Sequence, residues 1–201
     1  MEDIWYRILD FFWEYPIALI VAGAGVFFGL RRLMRPRFPF KFRGKVVWVC
    51  DGDTIWVRTV WGFKRKIRLR GMDAPESEQK WGDESQQCLY DLVGGRRVVL
   101  TATDRDMYGR WVCKVECGGT DASLAMIEAG LAWPYYYYLK QFPAEERERY
   151  LAAGRNAKRQ KRGMWSDPKL EAPWDWRRRH RSIWKRLWAW IKRMLAKIFG
   201  F

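Results

Sequence analysis

The pattern of apolar and polar positions predicts a β-rich domain in the middle of the chain. Five short runs are rich in β-branched and aromatic residues, and their partial alternation places every second side chain on one face. We predict strands at residues 45–50, 54–60, 63–69, 97–103 and 111–116. Short strands of this kind suit a small closed β-barrel.

Helical patterns lie between and after these strands. Apolar residues recur at helical spacing in 84–92, 122–129 and 144–162, and a glycine stands near the end of each segment. Five strands with three interspersed helices predict an α+β domain with a mainly β core. The expected architecture is a five-stranded barrel of the oligonucleotide-binding (OB) kind, with three helices packed outside it.

Continuous hydrophobicity marks the N-terminal part. Residues 16–30 contain no charged side chain, and the apolar segment extends back to residue 11 with Glu14 as its only interruption. We predict a transmembrane helix over 11–30, since about 20 apolar residues span a bilayer. A signal peptide would have a basic start and a small-residue cleavage site, whereas this N-terminus is acidic. The arginines that follow place the N-terminus outside and the rest of the chain in the cytoplasm, by the positive-inside rule.

The C-terminal pattern is amphipathic. From residue 183 to 199, apolar residues recur every three or four positions, with lysines and arginines between them. A basic helix with a Trp-rich face is suited to the interface of an anionic membrane, although a helix packed on its own domain would have the same pattern. We therefore divide the chain into an N-terminal tail 1–10, a transmembrane helix 11–30, a basic linker 31–41, a folded domain 42–166 and a basic amphipathic tail 167–201.

Composition narrows the partners and the chemistry. The formal net charge of the 201 residues is +15, which indicates nucleic acid or anionic lipid as a partner. The four cysteines have no spacing typical of a zinc site and are predicted to be free thiols. His180 is the only histidine and lies in a run of arginines, so mechanisms based on a histidine are poorly supported.

Carboxylates gather at two predicted turns. Asp51 and Asp53 flank a glycine at the end of a strand, where two carboxylates can converge on a hard cation. Arg68 lies on a later strand, and the loop after it supplies Asp73 and Glu76. Each cluster alone is also typical of ordinary turns and surface ion pairs.

Arginines add positively charged groups to these predicted carboxylate clusters. Alternation predicts Arg68 and Arg70 on the same strand face, and a turn ending in Tyr108-Gly109-Arg110 presents another guanidinium. Together, these groups meet the needs of phosphodiester hydrolysis without histidine. Oxygen ligands hold a cation, a carboxylate activates water, and guanidinium groups stabilise the charged transition state.

At this point a family resemblance becomes close. Residues 42 to 166 resemble the staphylococcal nuclease (thermonuclease-like) domain, whose fold is a five-stranded OB barrel with three helices. The matching motifs are DGDT at 51–54, R-x-R-x-x-D-x-P-E at 68–76, YGR at 108–110, EAGLAW at 128–133 and GMWS at 163–166. Several ordered motifs at family-like spacing are much more specific than any one of them.

The resemblance implies a calcium site. Asp53 and Asp73 would bind Ca²⁺ through their carboxylates, the backbone carbonyl of Ala74 would be a further ligand, and Asp51 would be an outer, supporting carboxylate. The family has a threonine where Ala74 stands, but only the backbone is required there. Glu76 would be the general base.

The remaining roles concern the substrate. By the resemblance, Arg68 and Arg110 would hold the scissile phosphate, and Tyr108, Tyr136 and Tyr138 would contact the nucleotide. A lysine common in the family beside the tyrosine of YGR is Met107 here, which would weaken phosphate or base contact.

The expected function is a Ca²⁺-dependent nuclease of DNA and/or RNA, which leaves 3′-phosphate ends and is anchored to membrane lipids at both termini. The alternative is a barrel that binds nucleic acid without cutting it, but such copies usually lose the acidic ligands or the arginine pair. A structural protein at a membrane surface would explain the basic ends and leave the carboxylates and arginines unexplained.

Overall fold

The computed structural model describes residues 37–180 and 190–191. Residues Pro39–Phe201 group into one compact unit, and the description concerns that unit. The predicted transmembrane helix at 11–30 lies outside the described residues, as does most of the predicted amphipathic helix at 183–199. In the described part of the chain, no helix combines the length and the apolar composition that crossing a bilayer requires.

The core of the domain is a closed β-barrel. The strands are β1 (Phe40–Asp51), β2 (Thr54–Thr59), β3 (Lys64–Leu69), β4 (Met72–Asp73), β5 (Arg97–Arg105), β6 (Trp111–Cys117), β7 (Thr120–Asp121) and β8 (Trp133–Pro134). Five of them pair in the order β3-β2-β1-β5-β6, with antiparallel neighbours, and a parallel pairing of β3 with β6 closes the barrel. The short β7 extends β6, and β4 pairs with β8 separately. The predicted five-stranded barrel is thus confirmed.

Alternation along the strands builds the interior. On β2 and β3 the inward positions are Ile55, Val57, Ile67 and Leu69, each almost fully buried. Burial of one such side chain contributes about 1.5–3 kcal/mol relative to its exposure to water. The outward positions between them are the polar, aromatic and basic residues of the strands, so the sequence pattern itself decides which residues face solvent.

The helices are α1 (Gly82–Val93), α2 (Ala122–Glu128), α3 (Tyr136–Leu139) and α4 (Ala144–Arg159), followed by a 3₁₀ turn at Gly163–Ser166 and a helical stretch at 173–180. Three of these lie where helices are predicted. The one-turn α3 falls in the tyrosine run, which has no helical periodicity to reveal it. Asp121 begins α2 because its carboxylate accepts the backbone N–H groups of Ser123 and Leu124.

Two glycines, Gly52 and Gly71, allow tight turns at the ends of β1 and β3. A Cβ on Gly52, between β1 and β2, would lie 1.9 Å from the Ser85 hydroxyl oxygen and 2.7 Å from the Ala74 Cβ, so only glycine fits this turn. Gly71 has a φ of 79° and turns the chain out of β3 into β4. These turns bring the ends of β1, β3 and β4 together.

The folded unit extends beyond the predicted boundaries of 42 and 166. β1 begins at Phe40, and the segment after Ser166 packs against the loop that precedes α1. Lys80 forms a 2.6 Å ion pair with Asp167, and the Gln79 amide donates to the Glu171 carbonyl at 2.6 Å. Further along, the indole of Trp174 lies 6.2 Å from the ring of Trp133. Aromatic packing and these polar contacts explain why this part of the predicted tail is docked on the domain.

Candidate active site

The ends of β1, β3 and β4 surround a cavity of about 560 Å³. Eight of the ten predicted site residues line it, namely Asp51, Asp53, Arg68, Ala74, Glu76, Tyr108, Arg110 and Tyr138. A ninth, Asp73, is completely buried, and its carboxylate pairs with Arg68, which lines the cavity. The structure therefore brings together residues from four separate stretches of the sequence.

Asp53 and Asp73 converge on one guanidinium group. Arg68 Nη1 lies 2.6 Å from Asp53 Oδ2, and Arg68 Nη2 lies 2.7 Å from Asp73 Oδ1. Burial opposes the ionisation of Asp53, but the adjacent Arg68 outweighs it and lowers the pKa of Asp53. Asp53 is therefore held as a carboxylate, which is the form that binds cations.

Asp51 stabilises the turn that carries Asp53. Its Oδ1 accepts the backbone N–H of Asp53 at 2.9 Å. Burial, followed by the neighbouring charge of Asp53, raises the pKa of Asp51 to about 7. The two carboxylates of the Asp-Gly-Asp turn thus differ in environment, since Asp53 is paired with arginine and Asp51 is bound to the backbone.

Arg110 is oriented by a carboxylate in its own turn. Its Nε donates to Asp106 Oδ2 at 2.6 Å, and its Nη1 donates to the Thr54 hydroxyl at 3.1 Å. Thr54 in turn donates to Asp53 Oδ1 at 2.7 Å. Asp106 also accepts the backbone N–H of Arg110. The sequence analysis gave Asp106 no role, and its position four residues before Arg110 is the signal that could have indicated this pairing.

The tyrosine run contributes different residues from those predicted. Tyr135 and Tyr138 line the cavity, whereas Tyr136 is exposed and is not among the described residues that line it. The reason is that α3 begins at Tyr136, so the chain leaves its extended path there. Tyr108 lies over Arg110, with 5.4 Å between the guanidinium carbon and the ring centre.

Arg68 and Arg70 both line the cavity, although their guanidinium groups have different partners. β3 ends at Leu69, so strand alternation does not continue to Arg70. Arg70 Nη2 instead lies 2.5 Å from Glu146 Oε1 on α4, and its guanidinium carbon lies 4.1 Å from the ring centre of Phe142.

Arg177 is the site residue that the sequence analysis missed. Its Nη1 donates to Glu76 Oε1 at 2.6 Å, and its Nη2 donates to Asp73 Oδ2 at 2.6 Å. Nη1 also lies 3.2 Å from Asp73 Oδ1. Arg177 belongs to a run of arginines that was assigned to the tail, and nothing local distinguishes it from its neighbours.

The donor set suits a hard divalent cation. The carboxylates of Asp53 and Asp73 point at one guanidinium, and Glu76 is joined to Asp73 by a second. Carboxylate oxygens of this kind are the ligands that Ca²⁺ and Mg²⁺ prefer. Among residues 37–180 and 190–191, no three Asp, Glu, His or Cys side chains already form a metal-binding cluster. Guanidinium groups link these carboxylates.

Comparison with known proteins agrees with this geometry. The family model described as "Staphylococcal nuclease homologue" matches residues 66–167. The chain is 39% identical over 150 residues to a protein named micrococcal nuclease from Shigella flexneri, a match that covers 68% of this chain and 81% of that protein. It is 40% identical over 139 residues to an uncharacterized endonuclease from Escherichia coli O157:H7, covering 68% and 85% of the two chains.

A plant relative is matched over a smaller share of its length. The chain is 35% identical over 133 residues to the probable staphylococcal-like nuclease CAN3 of Oryza sativa subsp. japonica, which covers 66% of this chain and 32% of that protein. The family model covers the chain from β3 to the 3₁₀ turn, and with it Arg68, Asp73, Glu76 and Arg110. This chain therefore belongs to the family of staphylococcal nuclease homologues.

Proposed function

We propose that this protein is a Ca²⁺-dependent nuclease that hydrolyses phosphodiester bonds of DNA and/or RNA and leaves 3′-phosphate ends. The observation that carries the proposal is the convergence of Asp53 and Asp73 on Arg68, with Glu76 and Arg110 in the same cavity. Family membership and the nuclease names of the relatives support the same reaction class.

The cation would be held by the carboxylates of Asp53 and Asp73 and by the backbone carbonyl of Ala74. When bound, it supplies Lewis-acid polarisation of the phosphate. Asp53 contributes a group that is already ionised, because Arg68 keeps its pKa low. Asp51 fixes the turn that carries Asp53 through the backbone hydrogen bond between them.

Glu76 is the group placed to remove a proton from the attacking water. Its side chain is about one-third exposed at the edge of the cavity, so water can reach it. A carboxylate within hydrogen-bonding reach of the nucleophile acts as a general base, an effect typically worth about 10²- to 10⁴-fold in rate.

Arg68 and Arg110 would hold the phosphate. Asp106 and Thr54 engage Nε and Nη1 of Arg110, and no partner among the described residues engages its Nη2. A guanidinium fixed in this way can donate to a phosphate oxygen without rearrangement, which is how preorganised donors stabilise developing charge. Tyr108 and Tyr138 provide aromatic surface for the nucleotide beside it.

The test is the cleavage rate of a labelled single-stranded oligonucleotide by the full chain and by Glu76→Gln. We expect Glu76→Gln to lose about 10²- to 10⁴-fold in rate, since a carboxamide cannot accept the proton. Glu78→Gln is the matched control, because Glu78 is exposed two residues away. Equal rates for wild type and Glu76→Gln would remove the base role from Glu76. Binding without cleavage by the wild type would favour a non-catalytic binding module.

We also propose that residues 11–30 anchor the protein, with the nuclease domain on the cytoplasmic side and the amphipathic C-terminal segment on membrane lipid. The support is the uncharged run at 16–30 and the arginines that follow it. Protease added to sealed inverted vesicles should digest the domain. Digestion from the outside of intact cells would reverse the assigned orientation.

A further inference from the structure

The outer face of β1, β2 and β3 carries cross-strand rows of side chains that begin at the active site. Thr54 pairs with Arg68 across β2 and β3, and both belong to the site. One step along the strands, Trp56 pairs with Lys66 on one side and with Trp48 on the other. Two residues along a strand is about 7 Å, so this second row lies next to the first.

The second row is accessible and continuous with the cavity. Lys66 lines the active-site cavity itself, Trp56 is half-buried, and the side chain of Trp48 is 64% exposed. The residues that alternate with them, such as Ile55 and Ile67, are fully buried in the barrel. Two indoles therefore lie on the outer surface of the sheet, in line with a lysine at the mouth of the site.

A third row adds positive charge. Arg58 pairs with Lys45 on β1 and with Lys64 on β3, and all three side chains are exposed. No acidic residue occurs in 40–50 or in 54–69, so the face has one sign of charge outside the catalytic turn. Aromatic stacking surface combined with a basic groove is the arrangement by which proteins bind single strands of nucleic acid.

We propose that these rows form a track for a single-stranded nucleic acid that leaves the active site. The track consists of Lys66, Trp56 and Trp48, with the basic row of Lys45, Arg58 and Lys64 beyond it. Bases of a single strand stack on the indoles, and the basic side chains contact the phosphates. A duplex keeps its bases paired inside, so it cannot use the indoles in this way. The proposal rests on the proposed function, because it extends the same site.

A lipid surface is the competing partner, and the geometry favours nucleic acid. Side chains that insert into a membrane protrude from a surface, as Val60 and Trp61 do at the hairpin between β2 and β3. Trp48 and Trp56 instead lie across the strands, in a row that ends at the cavity. Continuity with the active site is expected of a substrate path and has no purpose in lipid binding.

The experiment measures the affinity of the full chain for a fluorescent single-stranded 12-nucleotide DNA, by anisotropy in the presence of a chelator. Trp48→Ala should raise the dissociation constant about tenfold, since stacking on one aromatic side chain is worth about 1–3 kcal/mol per base. Trp48→Phe should restore much of the affinity. Trp61→Ala is the matched control, because Trp61 is 75% exposed and lies outside the rows.

The outcomes separate the track from the proposed function. Equal affinity of wild type and Trp48→Ala, with equal thermal stability, overturns the track even if the protein cleaves DNA. So does a loss confined to binding of anionic phospholipid vesicles. The chelator prevents the proposed cleavage, so the assay measures binding only. Weaker DNA binding by Trp48→Ala, but not by Trp61→Ala, therefore supports the track even if the protein proves to have no nuclease activity.

A separate observation concerns Arg177. Its guanidinium donates hydrogen bonds to both carboxylate oxygens of Asp73, the proposed metal ligand, and to Glu76, the proposed base. The segment that carries it is fixed to the domain by the contacts of Asp167 and Glu171 with the loop before α1. The C-terminal segment thus places a positive charge where a cation would bind.

We infer that Arg177 and the divalent cation compete for Asp73. The Asp73 carboxylate is fully buried, and both of its oxygens already accept guanidinium groups, Oδ1 from Arg68 and Arg177 and Oδ2 from Arg177. Two cationic groups a few ångströms apart repel each other, and binding of the metal therefore requires the Arg177 guanidinium to move away. The C-terminal segment would raise the metal concentration that the site needs.

Calcium affinity in the absence of nucleic acid tests this competition. By titration calorimetry of the full chain, Arg177→Gln should bind Ca²⁺ about tenfold more tightly than the wild type. Arg178→Gln is the matched control, because Arg178 is exposed and pairs only with Asp175 among the described residues. The increase in melting temperature on addition of Ca²⁺ should also be larger for Arg177→Gln. Unchanged or weaker binding by a folded Arg177→Gln overturns the inference.

Discussion

Two clusters of charged residues lie on either side of the turn that ends β3, and they differ in what holds them together. The active-site cluster contains Arg68, and the helix-side cluster contains Arg70, two residues away. Each adjoins a cavity, of about 560 Å³ and 660 Å³ respectively. Arg68 pairs with two carboxylates at 2.6 and 2.7 Å, and Arg70 pairs with one at 2.5 Å. From composition alone, either could be a catalytic site.

The helix-side cluster consists of Arg70, Asp121, Glu146 and Tyr150, and each of its two carboxylates has a local structural role. Asp121 begins α2 through two backbone N–H groups and also accepts the Tyr150 hydroxyl at 2.7 Å. Burial, followed by the charge of Asp121, raises the pKa of Tyr150, so its hydroxyl stays protonated and donates. Glu146 lies in the first turn of α4 and pairs with Arg70. These groups stabilise helices and their packing.

In the active-site cluster, the carboxylates come from separate elements and are joined mainly by guanidiniums. Asp53 and Asp73 cap no helix, and a buried carboxylate held in this way costs desolvation energy. Asp51 and Asp106 hold turns in place, but Asp53 and Asp73 converge on one guanidinium from separate elements, and this convergence marks the cluster as a candidate for function. We therefore expect substitutions in the active-site cluster to lower activity more than stability, and substitutions in the helix-side cluster to lower stability more than activity.

The largest effect is expected in the active-site cluster. Arg110→Ala should lower the cleavage rate about 10²- to 10³-fold, the range for removal of one preorganised donor to a developing charge. The rate is compared per folded molecule, because Arg110→Ala also leaves the largely buried Asp106 carboxylate without its guanidinium partner. Single-turnover kinetics at saturating oligonucleotide would measure the rate. A variant with wild-type turnover would place the phosphate elsewhere.

A smaller effect, on stability, is expected for Asp121→Ala in the helix-side cluster. The change removes the helix cap and leaves the Tyr150 hydroxyl without its acceptor, which together should cost about 2–4 kcal/mol of the free energy of unfolding. Urea denaturation measures this cost. Activity per folded molecule should match the wild type, and a large loss of rate at full stability would break the division between the clusters.

The smallest effect is expected for Tyr150→Phe. It removes one hydrogen bond to Asp121 while the helix cap and the ring packing against Phe142 remain. The expected cost is about 0.5–1.5 kcal/mol of the free energy of unfolding. Comparison with Asp121→Ala by denaturation gives the share of the cap. A cost as large as that of Asp121→Ala would mean that the cap contributes nothing.

Much of the fold follows from the sequence, because buried strands impose a two-residue period that is visible without a structure. Ile55, Val57 and Ile67 are buried as predicted, and the residues that alternate with them include the exposed Arg58 and Lys66. The motif residues also gather as predicted, since they lie at strand ends and turns that the barrel brings together. Local patterns were sufficient where local structure fixes the side chain.

The positions of the other cavity residues depend on tertiary contacts that no local sequence pattern encodes. Arg177 reaches the site because a distant segment docks on the domain, and its sequence neighbours are arginines too. Tyr135 replaces Tyr136 in the cavity because a one-turn helix starts in a run of identical residues. Arg70 lines the cavity beside Arg68 and also pairs with Glu146 on α4, a contact between residues that are 76 positions apart in the sequence.

The measurement that tests the account most directly is cleavage of single-stranded DNA and RNA by the full chain, with Ca²⁺ and then with a chelator, followed by analysis of the product ends. The account predicts cleavage with Ca²⁺, none with chelator, and 3′-phosphate ends. Tight binding without cleavage at any Ca²⁺ concentration would contradict it, because the carboxylates and arginines of the cavity would then have no catalytic role.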